Sequence, residues 1–246
     1  MVTSHRTGYP DELAPTAPDF ARLDTEVERG RRWSMVAEVQ RAAPSLDARV
    51  VDALLRVPRH LFVPALLRDF AYDDRPLAIG FDQTISQPLV VGLMCDALRI
   101  DAMDRILEIG AGSGYHAAVM SLLGREVFGV ERVEALAEQA RARLSRVGYA
   151  NVRLAVGDGS GGWPEHAPFD RVLVTAATER IEQAWIDQLN DEGLIVAPVG
   201  PAELGEQRLL RGTKRAGKLL TEDLGPVRFV PLLPGVRREP LERATG

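Results

Sequence analysis

The chain has 246 residues, 46% of them hydrophobic, with 30 Lys and Arg against 35 Asp and Glu and a formal net charge of −5; this is enough for one large α/β domain or two small ones, with no global field for nucleic acid or an anionic membrane. One cysteine, Cys95, excludes an internal disulfide framework and a multi-cysteine metal site, which fits a reducing compartment. No apolar run reaches the roughly 18–20 residues that span a bilayer and no signal-peptide pattern opens the chain, so a cytoplasmic protein is expected.

Residues 1–32 carry Pro10, Pro15 and Pro18 among scattered charges without sustained periodicity, which predicts a loosely ordered arm. A single domain is expected over 33–246, divided into a helical part with a polar loop (33–88), an alternating core (89–200), and C-terminal strands with a tail (201–246). Trp33, Val36, Ala37 and Val39, then Leu46, Val50, Val51, Leu54 and Leu55, keep helical spacing. They read as two amphipathic helices separated by Pro44, with Ser45 as N-cap of the second. "VPRHLFVP" (57–64) is bracketed by prolines and reads as a rigid connector. The polar segment "QTISQP" (83–88) then stands before a helix-like run, where one hydroxyl would suffice as an N-cap and the whole string exceeds that need.

From Leu89 the spacing predicts helices over 89–98, 115–123, 133–147 and 181–189, and short apolar strands over 105–109, 126–130, 152–156, 171–175 and 194–199. Two further apolar runs, 207–210 and 227–232, read as closing strands. Strands alternating with helices predict an α/β, Rossmann-like fold whose central sheet is mostly parallel and covered by helices on both faces.

"RILEIGAGSGYHAAV" places Gly110, Gly112 and Gly114 between a buried strand and a helix, where glycine permits a tight turn and close approach of a ligand to the helix start. The next strand ends in Glu131, placed to accept from both hydroxyls of a ribose. Dinucleotides and S-adenosylmethionine share that arrangement. Two further acids favour S-adenosylmethionine. Glu108 precedes the first glycine, where it can organise the loop and through it the ligand's amino-acid end; a diphosphate there would be repelled. Asp158, at the end of the third strand, is placed to accept from an adenine amino group.

"VPRHLFVP", "AYDDRPLAIGFDQTISQP", "LEIGAGSGYHAAV", "VGDGSGGWPEHAPFD", "VTAATERI" and "PVRFVPL" together resemble the protein-L-isoaspartate O-methyltransferase family, from about Trp33 to Leu232 and in the family's order. The resemblance implies methyl transfer from S-adenosyl-L-methionine, leaving S-adenosyl-L-homocysteine, to isoaspartyl residues of damaged proteins and peptides, by a cytoplasmic enzyme, here expected as a monomer without nucleic-acid or membrane partners. It makes Ser86 the catalytic-site residue with Thr84 beside the substrate, and Gln87 and Pro88 the lining of the cofactor's sulfur end. The cofactor set expected with them is Glu108, Gly110, Gly112, Gly114, Glu131, Arg132, Asp158 and Gly159, and the substrate set is Thr84, Ile85, Ser86, Phe229 and Val230. "PVRFVPL" should lie near the substrate, either binding an extended peptide as an added strand or serving as an ordinary closing strand.

No histidine pair has metal-ligand spacing with a third ligand, so no metal is expected. His60 reads as a connector residue with a satisfied ring, Cys95 as core, His116 as a cofactor contact or a packing residue, and Trp163 as an adenine neighbour or a loop anchor. "TAATERI" departs from the family by carrying Thr178, Glu179 and Arg180 where an alanine-proline-rich turn is usual, an expected extra charged pair near the substrate mouth. That leaves two rivals on the same fold: an aspartate O-methyltransferase acting on a dedicated ribosomal peptide to form aspartimide, and a small-molecule methyltransferase. A non-catalytic binding module would have lost the acids or "TISQ", and all are present.

Overall fold

The computed structural model describes residues 23–201 and 206–238. Helix α1 spans Glu26–Ala42, with the Thr25 hydroxyl accepting from the Glu28 N–H and acids in its first turn complementing the helix dipole. The expected arm thus gives way to helix before residue 33, while residues 1–22 lie outside the described residues. Apolar periodicity missed this start because α1 buries a charge: Arg32 forms a near fully buried ion pair with Asp24, 2.7 Å long. Trp33, expected on the apolar face, is 67% exposed. Helix α2 (Ala48–Arg56) is capped by Asp47, not Ser45, since the Asp47 carboxylate accepts from the Arg49 N–H at 2.7 Å.

After two 3-10 turns over Arg59–Phe62 and Ala65–Phe70 comes a hairpin that the sequence did not disclose, β1 (Leu77–Gly80) with β2 (Gln83–Ile85). It turns through Phe81 and Asp82, both in the left-handed region at φ 55° and 61°. Helix α3 (Pro88–Ala97) leads to the sheet strands β3 (Arg105–Ile109), β4 (Glu126–Glu131), β5 (Val152–Val156), β6 (Phe169–Val174), β7 (Leu189–Val199), β8 (Gln207–Arg215) and β9 (Lys218–Val227). Their order is β5-β4-β3-β6-β7-β8-β9, parallel from β5 to β7 and antiparallel from β7 to β9. Successive strands run outward from β3 to β5, then return to the other side of β3 at β6. The crevice beyond the carboxyl ends of β3 and β6 is therefore the switch point where ligands bind in such sheets.

Helices α4 (Tyr115–Ser121), α5 (Glu134–Val147) and α6 (Gln183–Gln188) complete the layers. Alternate strand residues split the core into two. Ile106, Val127, Leu173 and Val196 join the helical face that holds Met35, Leu54, Phe62 and Val119, and Leu107, Phe128, Val172 and Ile195 pack with Trp185 and Phe169 on the other. Cys95 is free and buried in the first cluster. The expected closing strand over 227–232 ends as β9 at Val227; beyond it the chain lies along residue Ala177, joined by a single bridge at Pro231.

Candidate active site

The turn after β3 holds Gly110, Gly112 and Gly114 at φ 89°, 53° and 85°, which L side chains rarely adopt. Close packing adds a second requirement: a Cβ on Gly110 would sit 2.8 Å from the Thr175 hydroxyl oxygen. That hydroxyl lies 2.9 Å and 2.6 Å from the carbonyls of Ile109 and Gly110 and donates to them, tying the end of β6 to the turn. Glu131 ties in the end of β4. Its two oxygens accept from the N–H groups of Gly112 and Val133, each at 2.8 Å, and the remaining lone pairs stay available to a ligand.

Around this turn opens a cleft of about 730 Å³ including its mouth. The three glycine-loop positions Gly110, Ala111 and Gly112 line its floor, Glu131 and Arg132 one wall, Gly159 and Thr175 another, and residues 83–86 and 230–233 its rim. Gly114 shapes the turn without lining the cleft. Glu108 lines the floor, is 1% exposed, and neither of its oxygens has a hydrogen-bond partner among the described residues. Burial, then the charge of Glu131, pushes its carboxyl well above the ordinary range. Glu108 therefore does not organise the loop as expected; Glu131 and Thr175 do. His116 also lines the cleft with Nε2 buried and unpartnered, and burial pushes its pKa down to about 4.

Asp158, expected beside the adenine, is engaged on both of its oxygens. One oxygen accepts from the N–H and hydroxyl of Ser160 and the other from the Gly235 N–H at 2.6 Å, and the residue does not line the cleft. The Gly235 N–H, ahead of the Ser160 donors, holds its carboxyl below the usual range. Arg132 donates to the carbonyls of Gly235 and Pro234, and Arg237 to that of Phe81. These bonds draw residues 232–237 across the cleft as a strap, with Leu232 and Leu233 on its inner side. The sequence did not reveal it, because every anchor is distant in the chain.

The polar segment now explains itself. Ile85 is buried and Thr84 exposed, as the β1–β2 pairing dictates. The N-terminus of α3 is served instead by Asp74, which accepts from the Leu89 N–H at 2.9 Å and from the Gln87 side-chain amide at 2.8 Å. Neither hydroxyl caps the helix. Thr84 and Ser86 both line the first cleft and also a second, about 970 Å³, bounded by Gln87, Val90 and the 226–230 segment. Gln87 reaches only the second cleft, and Pro88 neither, so both depart from the expected lining of the cofactor's sulfur end: the first turn of α3 faces Asp74. Beneath Ser86 lies Arg59 of the connector, fully buried, donating to the carbonyls of Ser86 at 2.7 Å and Ala71 at 2.9 Å. Its guanidinium stacks 4.8 Å over the ring of Tyr115. "VPRHLFVP" thus positions the loop, a role its prolines alone did not disclose.

Phe229 borders the second cleft and Val230 both. The Phe229 N–H and carbonyl are engaged by the Gln207 side chain, and the Val230 carbonyl by the Ala177 N–H, so these groups are closed to strand addition. Other residues take their plainer roles. His60 is satisfied by the Tyr72 hydroxyl and the Leu23 carbonyl, and Trp163 packs edge-on against Phe128 outside the cleft. Thr178 is buried with its hydroxyl on the Arg180 carbonyl, whereas Glu179 and Arg180 are exposed and line neither cleft. Among the described residues no acid, His or Cys group could hold a metal ion, and no helix is long and apolar enough to cross a membrane.

A glycine turn at the switch point, an acid clamping it from β4 and an unpartnered buried carboxylate on its floor fit a cationic, ribose-bearing ligand. Known proteins share this sequence and fold. The chain is 48% identical over 229 residues to the protein-L-isoaspartate O-methyltransferase of Methylorubrum extorquens, covering 92% of this chain and 97% of that one. A solved protein-L-isoaspartate O-methyltransferase superposes with a TM-score of 0.75 at 28% identity, over 81% of this chain and 65% of that one. The fold is also that of a Plasmodium falciparum protein solved in complex with S-adenosyl-L-homocysteine, at TM-score 0.71 and 23% identity over 82% and 98% of the two chains. Residues 31–237 match the model of the protein-L-isoaspartate(D-aspartate) O-methyltransferase family, and with the site that those residues build, the chain belongs to that family.

Proposed function

We propose that this protein transfers a methyl group from S-adenosylmethionine to the free α-carboxylate of L-isoaspartyl residues in damaged proteins and peptides, with Ser86 and Thr84 holding that carboxylate. The observation that carries the reading is the place of these two residues at the junction of both clefts, released from helix capping by Asp74. When bound, S-adenosylmethionine supplies an electrophilic methyl on a sulfonium centre. Glu131 and the glycine turn would hold its ribose, and the unpartnered oxygens of Glu108 match its ammonium.

The nucleophile, a carboxylate with a pKa of about 4, is already ionised at neutral pH, so no general base is required. The site has to orient it, near contact distance of roughly 3 Å and in line. Neutral hydroxyl donors suit this, because a tight salt bridge would favour the charged ground state over the neutralising transition state. His116, with its pKa about 4, is uncharged near neutrality and adds no competing cation. Arg59 keeps its charge on the carbonyl of Ser86 and so fixes the loop without meeting the nucleophile. Once formed, the ester loses methanol as the neighbouring backbone nitrogen closes a succinimide, and hydrolysis returns part of it to aspartate.

The enzyme is read as a cytoplasmic monomer, with Cys95 as a buried free thiol and no nucleic-acid partner. Glu179 and Arg180, lying outside both clefts, give no ground for a dedicated peptide substrate. The test pairs two peptides identical except for isoaspartate or aspartate, with methyl-labelled cofactor. Label is expected only in the isoaspartyl peptide, then in methanol as succinimide forms; equal labelling of both, or of neither, overturns the proposal.

A further inference from the structure

The second cleft carries a single formal charge, that of Arg228, and every other lining side chain is neutral. Arg228 is exposed and has no hydrogen bond or ion pair with any described residue. Its neighbours in the C-terminal strands differ: Arg208 pairs with Asp223 and Arg211 with Glu222. An unneutralised cation on the wall of an otherwise uncharged cleft is placed to meet an anion brought by the ligand.

Its position decides which anion. Thr84, Ser86, Thr175 and Val230 border both clefts and mark where a reacting carboxylate passes from one to the other, whereas Arg228 borders only the second. Val230 is two residues further on, at most about 7 Å of chain, the span of about two residues of an extended peptide. A cation on the nucleophile itself would oppose transfer, but one beside the flanking peptide does not. The guanidinium fork matches a carboxylate in two-point geometry. We infer that Arg228 is a specificity-determining residue that selects isoaspartyl sites with an acidic side chain within about two residues. This rests on the function proposed above.

The experiment uses isoaspartyl peptides capped at both ends, so that no terminal carboxylate contributes, with Glu, Gln or Lys placed in turn at each of the two positions on either side. Wild-type kcat/KM should favour Glu over Gln by roughly two- to five-fold at one or more positions and disfavour Lys, as exposed pairs allow. The ratio should shrink between about 20 mM and about 500 mM salt. Arg228→Gln should bring the Glu/Gln ratio to one, Arg228→Glu should invert it, and Arg228→Lys should restore part of it. A wild-type enzyme that methylates all the peptides alike removes this inference and leaves the function standing, as does a Glu preference that survives Arg228→Gln. A wild-type enzyme that methylates none removes both.

Discussion

Glu131 gives the sharpest perturbation, because on the function proposed one carboxylate serves the fold and the ligand together. Its oxygens accept two backbone N–H bonds at 2.8 Å, from Gly112 and Val133. Glu131→Ala leaves both donors without an acceptor, at about 1–3 kcal/mol each, so roughly 2–4 kcal/mol of stability is lost once partial relaxation is allowed for. Glu131→Gln keeps one acceptor oxygen and removes a charge whose burial is itself unfavourable, the dominant reason its carboxyl lies above the ordinary value. It should therefore destabilise less, by about 1 kcal/mol. Cofactor binding should order differently. A ribose diol loses a charged acceptor in either variant, and hydrogen bonds to charged groups contribute about 1.5–3 kcal/mol, a factor of about ten to a hundred in Kd. Calorimetric titration with S-adenosyl-L-homocysteine, alongside denaturant melts, separates the two effects. Wild-type affinity in Glu131→Gln would refute the ribose role and leave Glu131 as a loop clamp.

Glu108→Gln should act in the opposite sense on stability. A carboxyl whose pKa is raised on folding binds its proton more tightly in the folded state, so its contribution is full below the unfolded value of 4.5 and is lost as pH rises through the higher folded value. At neutral pH the amide should raise the thermal midpoint of the ligand-free protein by roughly 2–4 °C, an advantage that disappears in acid, while weakening cofactor binding; a lower midpoint at neutral pH would contradict this. Arg59→Met should lower kcat with little change in cofactor Kd, because the buried Ala71 carbonyl and the half-buried Ser86 carbonyl lose their donor and Ser86 loses its seat; an unaltered kcat in the folded variant would remove Arg59 as a positioning residue. Asp158→Ala should speed cofactor dissociation by freeing the strap from its Gly235 anchor, and unchanged off-rates in stopped-flow fluorescence would show the strap to be held otherwise.

The strand and helix order from Leu89 to Val199 could be read directly, since buried parallel strands carry apolar runs such as Leu194–Val199 and their helices keep a 3.6-residue period. β9 could not: its residues are largely exposed and include Lys218, Glu222 and Asp223, and it is held by hydrogen bonding to β8. The β1–β2 hairpin turns through Phe81 and Asp82, not through glycine, and so gave no turn signal. At the site, the glycine turn and Glu131 stood out by residue type and spacing, and the roles of Thr84 and Ser86 followed from the family resemblance. Asp74, Arg59 and the strap anchors Asp158 and Arg132 did not, because each acts on a partner 13 or more residues away. Nor could the bond from the Gly235 N–H to Asp158 be read, because a strand-end acid looks alike whether or not it also holds a distant backbone N–H.

On the function proposed, the Thr84 and Ser86 hydroxyls hold the nucleophile where the two clefts meet, and neither caps the helix. Thr84→Val combined with Ser86→Ala tests it most directly, with kcat on an isoaspartyl peptide and the Kd of S-adenosyl-L-homocysteine measured on the same preparation. The expected result is a fall in kcat of about 10²-fold or more, the scale of losing oriented donors, with Kd and thermal midpoint near wild type. Kd rising in proportion to the loss of activity, or kcat surviving, would contradict it.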